Sequence, residues 1–323
     1  MMTSNLGLTD GMGQQIGRFE RLHPDLGNII ATDAKIEIIA EGFQWSEGPV
    51  WIENKKMLLF SDIPPNTIYK WTAEKGKELY LTPSGYTGSE PRKGETGSNG
   101  LILNNKGQLV LCQHGDRRMA LMDAPIDDPK PKFITLADNY QGKKFDSPND
   151  AVYKSNGDLY FTDPPYGLEK NVDDPLKEAP YQGVYKLSVD GKITLLTNTL
   201  TRPNGIAFMQ GEKTILIANS DSKKPYWYAY DLDENGLFKN ERIFYDATKE
   251  AAKEKGGADG LKVDQKGTIF ATGPGGIWIF DKTGTVLGKI KINELTSNCA
   301  LADDDKTLYV TADMYVLKIT LRK

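Results

Sequence analysis

Histidine and cysteine are scarce in this chain, with two of each in 323 residues. The histidines, His23 and His114, stand in no HxxxH pattern, and the cysteines, Cys112 and Cys299, in no Cys-rich one. A zinc centre built on those ligands is therefore disfavoured. Two cysteines also make no disulfide framework. Both lie in apolar strand-like runs and read as buried thiols. There is no GxSxG elbow, and a Ser-His-Asp triad would have to draw on one of the two histidines. No Walker-type phosphate loop is present. No run of about 18 apolar residues occurs, so no membrane-spanning helix is expected. Basic residues do not predominate: Lys and Arg number 40 against 44 Asp and Glu, for a net charge of −4. Nucleic acid, which calls for a basic stripe, is not an expected partner. The first residues show neither the basic start nor the apolar core of an export signal. A cytoplasmic location fits, as does a periplasmic one after removal of a signal.

What the chain does have is a repeat. Six segments open on Glu47, Asn99, Asn149, Asn204, Asp259 and Asn298, spaced 52, 50, 55, 55 and 39 residues apart. Each runs from its polar opener into a short apolar stretch, a turn rich in Asn, Asp, Gly and Lys, and a second apolar stretch, as a β-hairpin requires. A third strand-like run follows most hairpins, and a fourth follows several. Four strands in about 50 residues, six times over, predict an all-β, six-bladed β-propeller. The last unit lacks a fourth strand, and a spare strand-like segment at 36–41 precedes the first unit. That segment is expected to complete the last blade and close the ring, leaving no open edge. The domain reading is an N-terminal extension over 1–34 and a propeller over 35–323. The extension is expected to be largely irregular, with short helical turns at FERL (19–22) and LGNII (26–30).

The innermost strand of each blade lines the central channel, so its opening residue stands near the axis. Six oxygen-bearing side chains would then face one another, two of them carboxylates. Asn and Asp before a strand also serve as ordinary turn residues that bond local backbone, and this reading is preferred for Asn99 and Asn298. Taken together, the openers resist it. Two facing carboxylates repel unless one keeps its proton or a cation lies between them. A hard divalent ion with oxygen ligands meets that need, calcium best and magnesium or manganese next.

Four stretches, SEGPVW (46–51), SPND (147–150), RPNG (202–205) and ADGLKVD (258–264), resemble motifs of the senescence-marker-protein/gluconolactonase family, which includes regucalcin-type lactonases. LCQHGDRR (111–118) and FTDPPYGL (161–168) resemble its bacterial gluconolactonase branch. The resemblance implies one axial divalent metal, usually calcium, with magnesium, manganese and zinc as alternatives. It implies Glu47, Asn204 and Asp259 as metal ligands, with Asn149 beside the metal as a substrate contact or fourth ligand. It also implies Asp259 as the general base. The expected activity is hydrolysis of a sugar lactone, gluconolactone or a relative, in carbohydrate metabolism. A promiscuous arylesterase or organophosphate hydrolase, and a non-catalytic calcium-binding propeller, are the alternatives. A monomer or a dimer suits either reading.

Loops feeding the inner strands must surround such a site. The stretch 83–98 is polar and Gly-rich, leads into Asn99, and is expected to act as a mobile lid. The insertion 164–182 is expected on the same face, with Tyr166 against a sugar ring. Asn99, His114 and Arg117 complete the candidate substrate contacts. His114 reads equally as a residue bonded to nearby carbonyls, and Asp163 reads as a turn former or a partner of the site.

Overall fold

The computed structural model describes residues 16–322. Six antiparallel sheets of four or five strands stand around an axis as blades of a β-propeller. Blade 1 is built from Ser46–Ile52, Met57–Asp62, Thr67–Thr72 and Gly76–Leu81 in that order outward. The inner strands of the other blades are Ser98–Leu103, Ala151–Tyr153, Pro203–Phe208, Leu261–Val263 and Thr296–Ala302. Among the described residues, no helix is long and apolar enough to cross a membrane.

The blades adhere through their faces. Every residue of the second strand of blade 2, Leu109–Gln113, is buried. From blade 2, Val110, Cys112 and Met119 meet Ala151, Phe161 and Tyr185 of blade 3. Leu58, Phe60 and Trp71 of blade 1 likewise meet Ala300, Tyr309 and Val316 of blade 6. Second strands covered on both sides are therefore nearly all apolar and need no alternation. Cys112 and Cys299 are free and buried, as their apolar setting implied.

The ring closes as expected. Ile36–Glu41 pairs antiparallel with Tyr315–Thr320 of blade 6, with Ile36 opposite Ile319 and Ala40 opposite Val316. The region before it departs from expectation. FERL is not a helical turn: Gly17–Arg21 is a strand, added as a fifth strand to the outside of blade 5. It pairs with Gly288–Ile292, satisfying that edge's backbone groups. LGNII lies in a 3-10 turn, Pro24–Asn28, whose first turn is capped by His23 Nδ1 accepting from the Asp25 N–H at 3.2 Å. Leu26, Ile29 and Ile30 then drop into the core between blades 5 and 6. Blade 2 also has third and fourth strands that the sequence did not announce, Arg118–Met122 and Phe133–Ala137. The Pro- and Asp-rich stretch between them obscures the pattern.

Candidate active site

The openers stand where the inner strands are irregular. Pairing registers shift at Glu47/Val50, Ser98/Leu101, Pro203/Ile206 and Thr296/Asn298. Such bulges re-aim a side chain out of the regular pleat. Adjacent blades are tied at the same level. Ser61 Oγ donates to the Asn99 carbonyl at 2.8 Å, Thr162 Oγ1 to that of Asn204 at 2.7 Å, and Ser297 Oγ to that of Ser46 at 2.7 Å. Backbones approach so closely that a β-carbon on Gly48 would lie 2.0 Å from the Asn99 carbonyl oxygen, and one on Gly205 2.3 Å from that of Asp259. Gly48 also has φ +54, which favours glycine. This crowding explains the glycine that follows several openers.

Five of the six openers line one cavity of about 220 Å³: Glu47, Asn99, Asn149, Asn204 and Asp259. Tyr166 joins them from the 164–182 insertion, with Trp45, Glu95, Ser220 and Gly257 completing the wall. Asn99 thus faces the axis, although a local turn role was preferred for it. Asn298 does not line the cavity, but its role is not only local: its Oδ1 accepts from the Cys299 N–H at 2.9 Å and from Lys262 Nζ of blade 5 at 3.3 Å, and its side chain also bonds the Glu47 carboxylate.

The cavity is rich in oxygen without partners. The Oδ1 atoms of Asn99, Asn149, Asn204 and Asp259 are buried and accept no hydrogen bond. Leaving one such group unsatisfied costs about 1–3 kcal/mol. Asn204 Nδ2 is directed to Ser220 Oγ at 3.3 Å, and Tyr166 Oη lies 2.6 Å from the same hydroxyl, which leaves Asn204 Oδ1 for the cavity. Burial pushes Glu47 up to about 8 against the bond from the Gly48 N–H, and the charge of Asp150 adds to the rise. Asp259 is pushed well above the ordinary carboxylate range, by burial first and then by Glu47 and Glu95.

Such a donor set fits a hard divalent cation, which neutralises carboxylates and takes amide oxygens in irregular geometry. The set is two carboxylates with amides. Among the described residues, no group of three His, Cys, Asp or Glu side chains is arranged to hold a metal.

Two expected substrate contacts lie elsewhere. His114 is fully buried and does not line the cavity; its Nδ1 is 3.2 Å from Glu95 Oε2. Arg117 turns away from the axis. It sits at φ +60 in a tight turn, and its Nε donates to the Phe145 carbonyl at 2.6 Å. It borders a separate cavity of about 490 Å³ with Arg92, Asp116 and Arg118. Asp163 forms no turn of its own: it ends the strand Leu159–Asp163, and its carboxylate accepts from the N–H groups of Asp146 at 2.9 Å and Ser147 at 2.7 Å, pinning the segment that leads into Asn149. Sequence reasoning missed Glu95 and Ser220. Glu95 was an acid inside a Gly-rich loop, and Ser220 follows the second strand of blade 4 directly.

The other end of the channel is different in kind. A cavity of about 590 Å³ there is lined by Val50, Leu101, Val152, Ile206, Val263 and Leu301, with Gln210, Glu212, Lys262, Asp264, Gln265 and Asp305 also in its wall. It shares no lining residue with the polar cavity. Lys262 lines this larger cavity, and its Nζ reaches the Leu261 carbonyl at 3.0 Å, Asn298 Oδ1 at 3.3 Å and Asp150 Oδ2 at 3.6 Å.

A ring of blades carrying an acid-and-amide cavity on its axis defines a β-propeller with a candidate site at its centre. Residues 45–313 match the family model described as SMP-30/Gluconolactonase/LRE-like region, and the chain belongs to that family. It is 38% identical over 313 residues to a gluconolactonase of Zymomonas mobilis, covering 95% of this chain and 87% of that one. It is 25% identical over 271 residues to a pentonolactonase of Haloferax volcanii, covering 82% and 80%. A solved gluconolactonase from Xanthomonas campestris superposes with a TM-score of 0.80 at 25% identity, covering 94% of each chain.

Proposed function

We propose that this chain hydrolyses a sugar lactone to the open hydroxy acid in the polar axial cavity, with aldonolactones of the gluconolactone kind as substrates. One observation carries the reading: three carboxylates, of Glu47, Glu95 and Asp259, and three partnerless amide oxygens line a single small cavity. A cavity of about 220 Å³ walled by amides, acids and a tyrosine hydroxyl suits one hydroxylated ring better than a bulky apolar ester.

Glu47, Asn204 and Asp259 would hold one divalent cation, calcium first, with Asn149 as the fourth ligand or a substrate contact. When bound, that ion would polarise the lactone carbonyl and stabilise negative charge on its oxygen. The chain's own groups do the rest. Tyr166 Oη, fixed by Ser220, is placed to bond a ring hydroxyl. The amides of Asn99 and Asn149 are placed to orient the ring, Asn149 nearest the reacting carbonyl. Asp259 is the family's candidate base and faces the same volume. A carboxylate shared with a cation is a weak base, so Asp259 chiefly orients the attacking water.

Calcium should restore to chelator-stripped protein a lactone-dependent acid release well above spontaneous opening. Stripped protein as active as the untreated enzyme would sink the reading. A surviving arylester rate without a lactone rate would favour the esterase alternative. Stability supplies a second readout. Glu47 has a folded value raised from 4.5 to about 8 in the metal-free cavity. The stability this contributes is full below the unfolded value and is lost as pH rises through about 8. The gain in melting temperature on adding calcium should therefore grow as pH rises across that window. A calcium effect independent of pH would contradict it.

A further inference from the structure

The loop 83–98 brings a third carboxylate to the cavity. Glu95 lines it beside Glu47 and Asp259, with its side chain one-third exposed, whereas Glu47 is almost wholly buried. Behind Glu95 stands His114. This imidazole is fully buried, neither ring nitrogen makes a well-formed hydrogen bond, and Nδ1 lies 3.2 Å from Glu95 Oε2. A buried polar ring with no other partner is costly, and the Glu95 carboxylate is the acceptor within its reach.

The contact is framed on several sides. Asn66 Oδ1 accepts from the N–H groups of Ser84, Gly85 and Tyr86 and pins the stem of the loop. Arg92 straps its middle to the carbonyls of Gly115 and Gly167. The His114 N–H donates to the Gly97 carbonyl at 3.2 Å. A β-carbon on Gly167 would lie 2.7 Å from that of His114, so the second insertion seals the ring from above.

We propose that Glu95 is the proton-transferring residue of the hydrolysis and that His114 is its positioning residue. The inference rests on the lactonase reading. Glu95 is the carboxylate of the cavity that a buried imidazole approaches to 3.2 Å and that is left open to substrate. As the water oxygen bonds to the lactone carbonyl carbon, one water proton passes to Glu95. The ring C–O bond then breaks, and Glu95 returns that proton to the departing ring oxygen. The product is the hydroxy acid, and its carboxyl group ionises afterwards. No redox step or co-reactant is involved.

The test compares Glu95→Gln, His114→Leu and His114→Gln with the intact enzyme. The measurements are kcat and KM on gluconolactone, calcium affinity of stripped protein by calorimetry, and melting by circular dichroism. Glu95→Gln should lower kcat about 100-fold or more, the scale of a lost general base, with KM and calcium affinity little changed. His114→Leu should lower kcat about tenfold to 100-fold, as a misplaced catalytic group does. His114→Gln, which keeps an N–H donor, should recover much of that loss. A Glu95→Gln enzyme with undiminished kcat would overturn the inference, as would loss of calcium affinity in step with kcat, which would make Glu95 a metal ligand. If His114→Leu fails to fold, Glu95→Gln still decides. Wild-type protein inert on lactones would instead refute the parent reading, and this inference with it.

Discussion

Asp259→Asn should reduce kcat/KM on an aldonolactone by about 1,000-fold, the scale on which removal of one preorganised group acts on a transition state. The same change should make the metal-free protein more stable. Asp259 is half-buried with its Oδ1 out of solvent and without a partner, and desolvation together with Glu47 and Glu95 pushes its carboxyl far up. At neutral and alkaline pH the stripped wild type must either keep a proton there or bury a charge. A neutral amide of the same shape removes that cost. Stripped Asp259→Asn should thus melt a few degrees higher than stripped wild type, by a margin that shrinks toward acid pH. Added calcium should reverse the order. A variant that keeps a tenth of the wild-type rate would remove Asp259 from the centre of the chemistry. One less stable than wild type when both are stripped would mean that the carboxylate has a structural role instead.

Cutting the chain before residue 35 should cost most of the fold's stability. Gly17–Arg21 saturates the outer edge of blade 5, and Leu26, Ile29 and Ile30 are buried between blades 5 and 6. Each such side chain contributes about 1.5–3 kcal/mol, against a typical total of about 5–15 kcal/mol. A longer cut that removes Ile36–Glu41 would also strip the partner of Tyr315–Thr320 and untie the ring. We expect the shorter variant to melt far below the intact chain and the longer one to show no cooperative transition. A 35–323 fragment melting within a few degrees of the full chain would mean that the preceding residues are a dispensable extension, as the sequence reading divides them.

The letters made the propeller plain, because each blade repeats one hairpin grammar and the polar opener marks its inner strand. They could not separate Asn99 from Asn298. The two begin their strands alike, and the difference is made by Lys262, which reaches across from blade 5 to occupy one of the two amides. His114 was placed at the right height but not at the right radius. It stands one residue past the end of the strand Leu109–Gln113, and its ring lies behind the cavity wall under Gly167. Arg117 was lost to a left-handed turn that its sequence does not advertise. Glu95 lies in a loop, where no periodicity tells which side chain faces inward. Gly17–Arg21 escaped notice because only Gly17 is buried, so its apolar signal is thin.

Lys262 stands in the wall of the larger cavity, tied to three oxygens, and that cavity shares no wall residue with the acid-and-amide one. We therefore expect a molecule opened in the polar cavity to find no second way out. The acid must leave by the door through which the next ring arrives, and the two queue for the same room. Accumulating aldonate should accordingly raise the apparent KM for lactone and leave the limiting rate alone.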